Sequence, residues 1–333
     1  MSKRMRDTDY LAISARIRAM ENSLLTADRM EQLLQARTEE EVSKLLEESG
    51  YPPLRAEDPA AMDAALLAVR EETLQDVGSG APDPRYLDIF KLKYDYHNVK
   101  AILKARAVNA DSEHMLMDLG RVPAAELKEA VDGGDAGNLP PTLAAAIAEA
   151  KETLDTTRDP QLSDIVLDRW TYRDMMESAE RTGSRFLQGY VRTQIDASNL
   201  RALVRTLRMG KSPEFLRNAL LSGGTVGEGE LMAAAENRGA GLEELFVPAG
   251  LGEAAAAGEA VLRDGSMTVF EKRCDDAVSA YLDGAKMIPF GEAPLIGYLA
   301  ARETEYTNLR ILLMGRAAGL SPEVIRSRLR AVD

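Results

Sequence analysis

The sequence is poor in the residues that build metal centres and disulfides. Its 333 residues include one cysteine, Cys274, and two histidines, His97 and His114. A single cysteine excludes an internal disulfide framework and a cysteine-rich zinc site, and two histidines argue against a histidine-based metal centre. We therefore expect neither a bound metal nor a cofactor.

Basic charge, aromatic residues and long apolar runs are also scarce. There are 41 lysines and arginines against 54 aspartates and glutamates, a net charge of −13, and aromatic residues make up 5%. The acidic balance argues against a nucleic-acid partner, because binding a phosphate backbone needs a basic surface. No uncharged run approaches the roughly 20 apolar residues of a membrane span. These features predict a soluble, cytoplasmic protein with no direct membrane span.

What the sequence does contain is helical periodicity almost throughout. Alanine, leucine, glutamate, arginine and methionine, all good helix formers, dominate, and no comparable run alternates with the two-residue period of a strand. Apolar side chains recur every three or four residues, as on one face of a helix: Tyr10, Ile13, Ile17, Met20 and Leu24 in one run, and Ile89, Leu92, Tyr96, Val99 and Leu103 in another. The fold class predicted is all-α.

A short pattern occurs three times at nearly constant spacing. It consists of an acid, two variable residues, asparagine, valine or leucine, and a basic residue, and its asparagines are 101 and 109 residues apart. The acid and asparagine of the three copies are Asp95 and Asn98, Asp196 and Asn199, and Glu305 and Asn308. A repeat of this length indicates copies of one supersecondary unit. We predict three helical modules, at residues 1–120, 121–224 and 225–333, packed around a shared centre or stacked in an arc.

The acids of this pattern are predicted to face other helices. Apolar residues follow each asparagine at positions +1, +4 and +5, and at about 100° per residue the acid at −3 falls inside that stripe. A buried carboxylate must be hydrogen-bonded or paired. One interpretation is that each acid and asparagine tie their helix to a neighbouring backbone or basic side chain. The other is that they are contact groups for a partner inside a central opening.

No catalytic motif accompanies the repeat. Asp275-Asp276 lacks the further acid one turn on that Mg²⁺ and diphosphate chemistry requires, and Gly223-Gly224 lacks the ending of a phosphate-binding loop. Trp170 and Tyr172 are interpreted as packing residues. The sequence therefore predicts no catalytic residues, and the protein is not expected to be an enzyme.

Two longer stretches resemble a known family. Residues 82–98, ending in Tyr94-Asp95-Tyr96-His97-Asn98, and residues 289–310, which contain Pro289-Phe290-Gly291-Glu292 and Glu305-Tyr306-Thr307-Asn308, resemble the C subunit of the V-type ATPases, the counterpart of the eukaryotic d subunit. The resemblance extends over essentially the whole chain. The central module departs most, because Ala197-Ser198 replaces the aromatic-bearing pair of the other two copies.

This resemblance implies a mechanical role. Members of the family are three-fold pseudo-symmetric helical funnels in the central stalk, on the cytoplasmic face of the membrane. They couple two partners, the central shaft subunits and the membrane proteolipid ring, while ATP hydrolysis occurs elsewhere in the complex. The alternative function is a free-standing helical scaffold that recruits cytosolic proteins.

Overall fold

A computed structural model describes residues 5–54, 58–133 and 137–331. These residues form sixteen α-helices and six short 3₁₀ helices, and no strand occurs in these three ranges. The first eight are α1 Leu11–Met20, α2 Ala27–Gln35, α3 Glu39–Glu48, α4 Pro59–Gly80, α5 Asp88–Ala107, α6 Ala124–Asp132, α7 Pro141–Thr157 and α8 Pro160–Thr182. The second eight are α9 Arg185–Arg208, α10 Pro213–Ala219, α11 Glu228–Glu236, α12 Leu242–Phe246, α13 Gly252–Val261, α14 Met267–Asp283, α15 Glu292–Ala317 and α16 Pro322–Arg326. The all-α prediction is confirmed.

Several helices begin where the local sequence supplies a cap. The Asp58 carboxylate accepts a hydrogen bond from the backbone N–H of Ala61, and Pro59 occupies the first turn of α4. Ser212 caps α10 in the same way, with Pro213 in the first turn. Such side chains satisfy backbone donors that lack a partner inside the helix, and proline fits where no N–H is needed.

The first α-helix of the chain is shorter than the periodicity of residues 10–24 predicts. The stepping from Tyr10 to Leu24 indicates one helix, yet α1 ends at Met20 and a 3₁₀ turn continues to Ser23. Leu24 then takes extended backbone angles. The departure brings the backbone N–H of Leu25 onto the carboxylate of Glu305, a tertiary contact that overrides the local helical pattern.

The chain divides into two compact units. One consists of Met1–Asp83 with Gly250–Asp333, and the other is Pro84–Ala249. In the second unit α5 packs against α6, α7 and α8, and α8 packs against α7 and α9. Its core includes the fully buried side chains of Leu92, Leu127, Leu167, Leu187 and Leu200.

The first unit joins the two ends of the chain around α15. This helix packs against α1, α4, α14 and α16. A buried cluster combines Leu33 and Leu46 from the N-terminal part with Leu309 and Leu312 from α15. The three-module boundaries at residues 120 and 224 stay a prediction.

Candidate functional site

The three copies of the acid–asparagine pattern lie on three long helices, α5, α9 and α15. All six side chains are buried, with exposures of 0 to 2%: Asp95, Asn98, Asp196, Asn199, Glu305 and Asn308. Acids and amides are rarely buried so completely unless their polar atoms are satisfied within the protein. Their hydrogen bonds therefore define what this site does.

Each asparagine binds both polar groups of one distant residue's backbone. Asn98 Nδ2 donates to the Met117 carbonyl (2.8 Å) and Asn98 Oδ1 accepts from the Met117 N–H (2.9 Å). Asn199 forms the same pair with Leu221, at 2.9 and 2.8 Å. Asn308 forms it with Arg330, at 3.1 and 2.9 Å. The carboxamide thus satisfies the backbone N–H and C=O groups of a residue, Met117, Leu221 or Arg330, that lies outside a helix.

In the first two copies, the acid binds backbone N–H groups that begin four residues after the residue held by the asparagine. Asp95 Oδ1 accepts from the backbone N–H groups of Arg121 (2.9 Å) and Val122 (3.2 Å). Asp196 Oδ1 accepts from those of Thr225 (2.8 Å) and Val226 (3.1 Å). We call each acid and asparagine, with the segment that they hold, an anchor.

A glycine makes room for each of these two carboxylates. A Cβ at Gly120 would collide with Asp95 Oδ1, and a Cβ at Gly224 would collide with Asp196 Oδ1. The backbone can approach a carboxylate this closely only where no side chain intervenes. Gly120 and Gly224 therefore belong to the anchors as much as the acids do.

The acid of the third anchor takes two of its donors, Leu25 and Tyr51, from the N-terminal part of the chain. Glu305 Oε2 accepts from the backbone N–H of Leu25 (2.5 Å), and Glu305 Oε1 accepts from the hydroxyl of Tyr51 and the guanidinium of Arg302. Tyr306, next to Glu305, shares its hydroxyl with Thr73 of α4 at 2.8 Å. The glutamate is consequently held by three different kinds of donor.

An arginine whose side chain is 10% exposed supplies a positive charge to the first anchor. Arg121 Nε donates to Asp95 Oδ2 (2.7 Å), while its Nη1 and Nη2 form a bidentate pair with Asp174 of α8 (3.0 and 2.7 Å). Tyr96 also donates its hydroxyl to Asp174, at 3.2 Å. A guanidinium suits this position because its planar donors serve two carboxylates at once.

Burial shifts the titration of these groups. Loss of solvation raises the pKa of Asp95, although Arg121 and two backbone N–H donors act in the opposite direction. The pKa of Glu305 is raised for the same reason, against the opposing effects of Arg302, Tyr51 and Leu25. Burial, with the adjacent Glu305 carboxylate, also raises the pKa of the Tyr51 phenol. The neutral forms are favoured relative to water because a charge loses hydration on burial.

These contacts favour the first interpretation of the repeat, in which acid and asparagine tie their helix to neighbouring backbone and basic groups. The six side chains predicted from sequence form three acid–asparagine pairs, and each pair is hydrogen-bonded to a different segment of backbone. Sequence reasoning missed Arg121, Arg302 and Tyr51. The sequence did contain a signal for the held segments: Gly120-Arg121-Val122 and Gly224-Thr225-Val226 are each followed, after three intervening residues, by a Glu-Leu pair.

Three of the other residues considered from sequence are hydrogen-bonded, ion-paired or buried. Trp170 donates its indole N–H to Glu149 (2.7 Å), and Asp275 pairs with Arg330 (2.9 Å). Cys274 is buried. Across the described ranges no group of three or more histidine, cysteine, aspartate or glutamate side chains is arranged to hold a metal ion.

A family model for the ATP synthase (C/AC39) subunit matches residues 13–328, nearly the whole chain. The chain belongs to the ATP synthase (C/AC39) subunit family. All three anchor helices, α5, α9 and α15, lie inside the matched range.

Relatives in this C/AC39 family align over most of their length. The C subunit of the V-type sodium ATPase of Enterococcus hirae is 24% identical over 327 residues, covering 97% of this chain and 99% of the relative. The C subunit of the A-type ATP synthase of Methanocaldococcus jannaschii is 27% identical over 348 residues, covering 96% and 86%. That of Halobacterium salinarum is 25% identical, covering 96% and 97%. The recognition from sequence of a V-type ATPase C subunit is confirmed.

The family assignment agrees with the helical architecture. In the part of the chain that the structure describes, no helix is both long enough and apolar enough to cross a bilayer. The buried polar groups of this C/AC39 chain serve to hold helices and segments together. They are chemically suited to rigidity, since every anchor combines charge-assisted and paired hydrogen bonds.

Proposed function

We propose that the chain is a non-catalytic central-stalk subunit of a V/A-type ATPase, located at the cytoplasmic face of the membrane. It couples the central shaft subunits to the membrane proteolipid ring, so that the two turn together during ion translocation. The observation that carries this proposal is the family match over residues 13–328. The relatives named above are subunits of a sodium ATPase and of ATP synthases.

The anchors suit a part that transmits torque. If α9 rotated or slid against the segment that follows it, the paired Asn199–Leu221 hydrogen bonds and the Asp196 contacts would all break together. Leaving a buried polar group unpaired costs about 1–3 kcal/mol. Three such anchors resist internal deformation, as a coupling element requires.

We further propose that three modules surround a pseudo-three-fold axis, as in a funnel. Support comes from two equivalent helix pairs, each within one unit. Lys100 of α5 pairs with Asp168 of α8 (2.5 Å), and Arg310 of α15 forms a bidentate pair with Asp63 of α4 (2.7 and 3.1 Å). The last long helix thus packs against the first module, which is the relationship that a closed cyclic arrangement needs.

The proposal is tested by co-purification. The tagged full-length chain is mixed with the shaft subunits and the detergent-solubilised proteolipid ring from the same organism, separately and together. We expect it to bind each alone and to join them into one complex, with no ATPase activity of its own. Binding to neither would contradict the rotor role and favour the free-standing scaffold, and binding to only one of the two would contradict the coupling role.

A further inference from the structure

The N-terminal part of the chain occupies a position that the other two anchors fill with their own downstream segment. Val122 and Val226 donate to the acids of their anchors from 27 and 30 residues later in the chain. Leu25 donates to Glu305 from 280 residues earlier. The hydrogen bond is equivalent, but the covalent connection is different.

The local structure after the donor is the same in all three places. One cap residue follows each donor, namely Pro123, Gly227 and Thr26, and a helix begins at the next residue. Those helices, α6, α11 and α2, are each nine residues long. Equal length and equal offset from the acid-bound N–H identify α2 as the counterpart of α6 and α11.

In the third anchor, the segment that binds the asparagine and the segment that binds the acid are not consecutive in the chain. In the second anchor the backbone runs directly from Leu221, which binds Asn199, to Thr225, which binds Asp196. In the third, Arg330 binds Asn308. Ala331, the next residue, borders the same pocket of about 370 Å³ as Leu24 and Leu25. The two segments thus border one pocket with Glu305, although they are about 300 residues apart in sequence.

We infer that residues 24–35 are a strap that closes the module built on α15, and that Glu305 is its latch. The strap buries Leu25, Met30, Leu33 and Leu34 in the cluster shared with α15. Its ion pair from Glu31 to Arg326 of α16 is exposed on both sides and adds little. Glu305 is longer than the aspartates of the other anchors, which suits a latch that must reach a separate segment.

The strap is a conformational device because its release opens the α15 module without unfolding the other unit. In the first two anchors the held segment is continuous with its module, whereas here closure depends on non-covalent contacts alone. Local opening of such a unit has its own free energy, separate from global unfolding. This inference concerns the chain itself and holds independently of the partners proposed above.

Hydrogen–deuterium exchange on the full-length protein tests the latch. Glu305→Gln replaces one of the two acceptor oxygens with an NH2 group, and Glu305→Asp shortens the side chain; each should speed exchange in residues 24–35 by about tenfold or more. Residues 225–236 should be unaffected. The matched variant Asp196→Asn should do the reverse, speeding exchange in residues 225–236 and leaving residues 24–35 unchanged.

Two results would overturn the strap. One is unchanged exchange in residues 24–35 when Glu305 is replaced, and the other is an equal rise throughout both units. Should the Glu305 variants fail to fold, Tyr51→Phe removes a single hydroxyl from the same carboxylate. It should give a smaller increase confined to the same segment, and an increase elsewhere instead would also count against the latch.

Discussion

The side-chain amide of Asn199 and the backbone of Leu221 exchange two hydrogen bonds, at 2.9 and 2.8 Å, across 22 residues of chain. Asn98 and Asn308 form the same pair with Met117 and Arg330. Among the side chains, only asparagine and the longer glutamine carry a donor and an acceptor side by side on one planar amide group. The contact explains why asparagine stands at this place in all three copies.

Asn199→Ala should destabilise the protein by about 2–4 kcal/mol. It leaves both the N–H and the carbonyl of the half-buried residue Leu221 without their partner, and each such group that stays out of water costs about 1–3 kcal/mol. Chemical denaturation followed by circular dichroism measures the change. Asn218→Ala, at an exposed position in the same unit, is the control and should change the stability by less than about 0.5 kcal/mol. Equal effects from the two variants would contradict the anchor.

Gly224→Ala should destabilise the protein by about 1–3 kcal/mol, since the added Cβ collides with the carboxylate of Asp196 and overpacked sites lose this much. Gly229 in α11 has open space at the position that a Cβ would occupy. Gly229→Ala should therefore raise the stability by about 0.5–1 kcal/mol through helix propensity. Thermal melting of both variants distinguishes a steric effect from a general intolerance of alanine.

Arg121→Met should be among the most damaging single changes, with a loss of about 3–5 kcal/mol. It removes the cation shared by Asp95 and Asp174, both almost fully buried, and breaking a buried pair leaves uncompensated charge. Arg173→Met breaks an exposed ion pair with Glu177 and should cost less than about 1 kcal/mol. Partial rescue of Arg121→Met by adding Asp95→Asn and Asp174→Asn would show that the charge, not the packing, accounts for the loss.

Glu305→Gln should alter the pH dependence of stability in a defined direction. Burial raises the pKa of Glu305 above its unfolded value, so the folded state binds more protons between those two values. The contribution of Glu305 to the free energy of unfolding therefore increases as the pH falls from its folded-state pKa to its unfolded-state pKa. The same contribution is lost as the pH rises. The variant lacks this contribution. The difference in unfolding free energy, wild type minus variant, should grow as the pH falls from about 7 to the ordinary glutamate pKa of 4.5, and a difference that shrinks would contradict the raised pKa.

Much of the local structure was predictable because it depends on neighbours in sequence. Asp58-Pro59 and Ser212-Pro213 mark helix starts through capping groups that act within three residues. The burial of Asp95 and Glu305 followed from their place in an apolar stripe. The end of α1 at Met20 was not predictable from periodicity, because the Leu25–Glu305 contact decides the backbone there.

The amino-acid pattern alone was enough to predict a helical chain, a threefold repeat of acid and asparagine, and the inward orientation of these side chains. The backbone segment that each of them holds, and the donors that Arg121 and Tyr51 supply, depend on how the helices pack. The physical reason is that helix formation and amphipathicity depend on residues a few positions apart. A buried carboxylate, in contrast, accepts any N–H that packing brings to it, whether that donor is 26 residues away or 280.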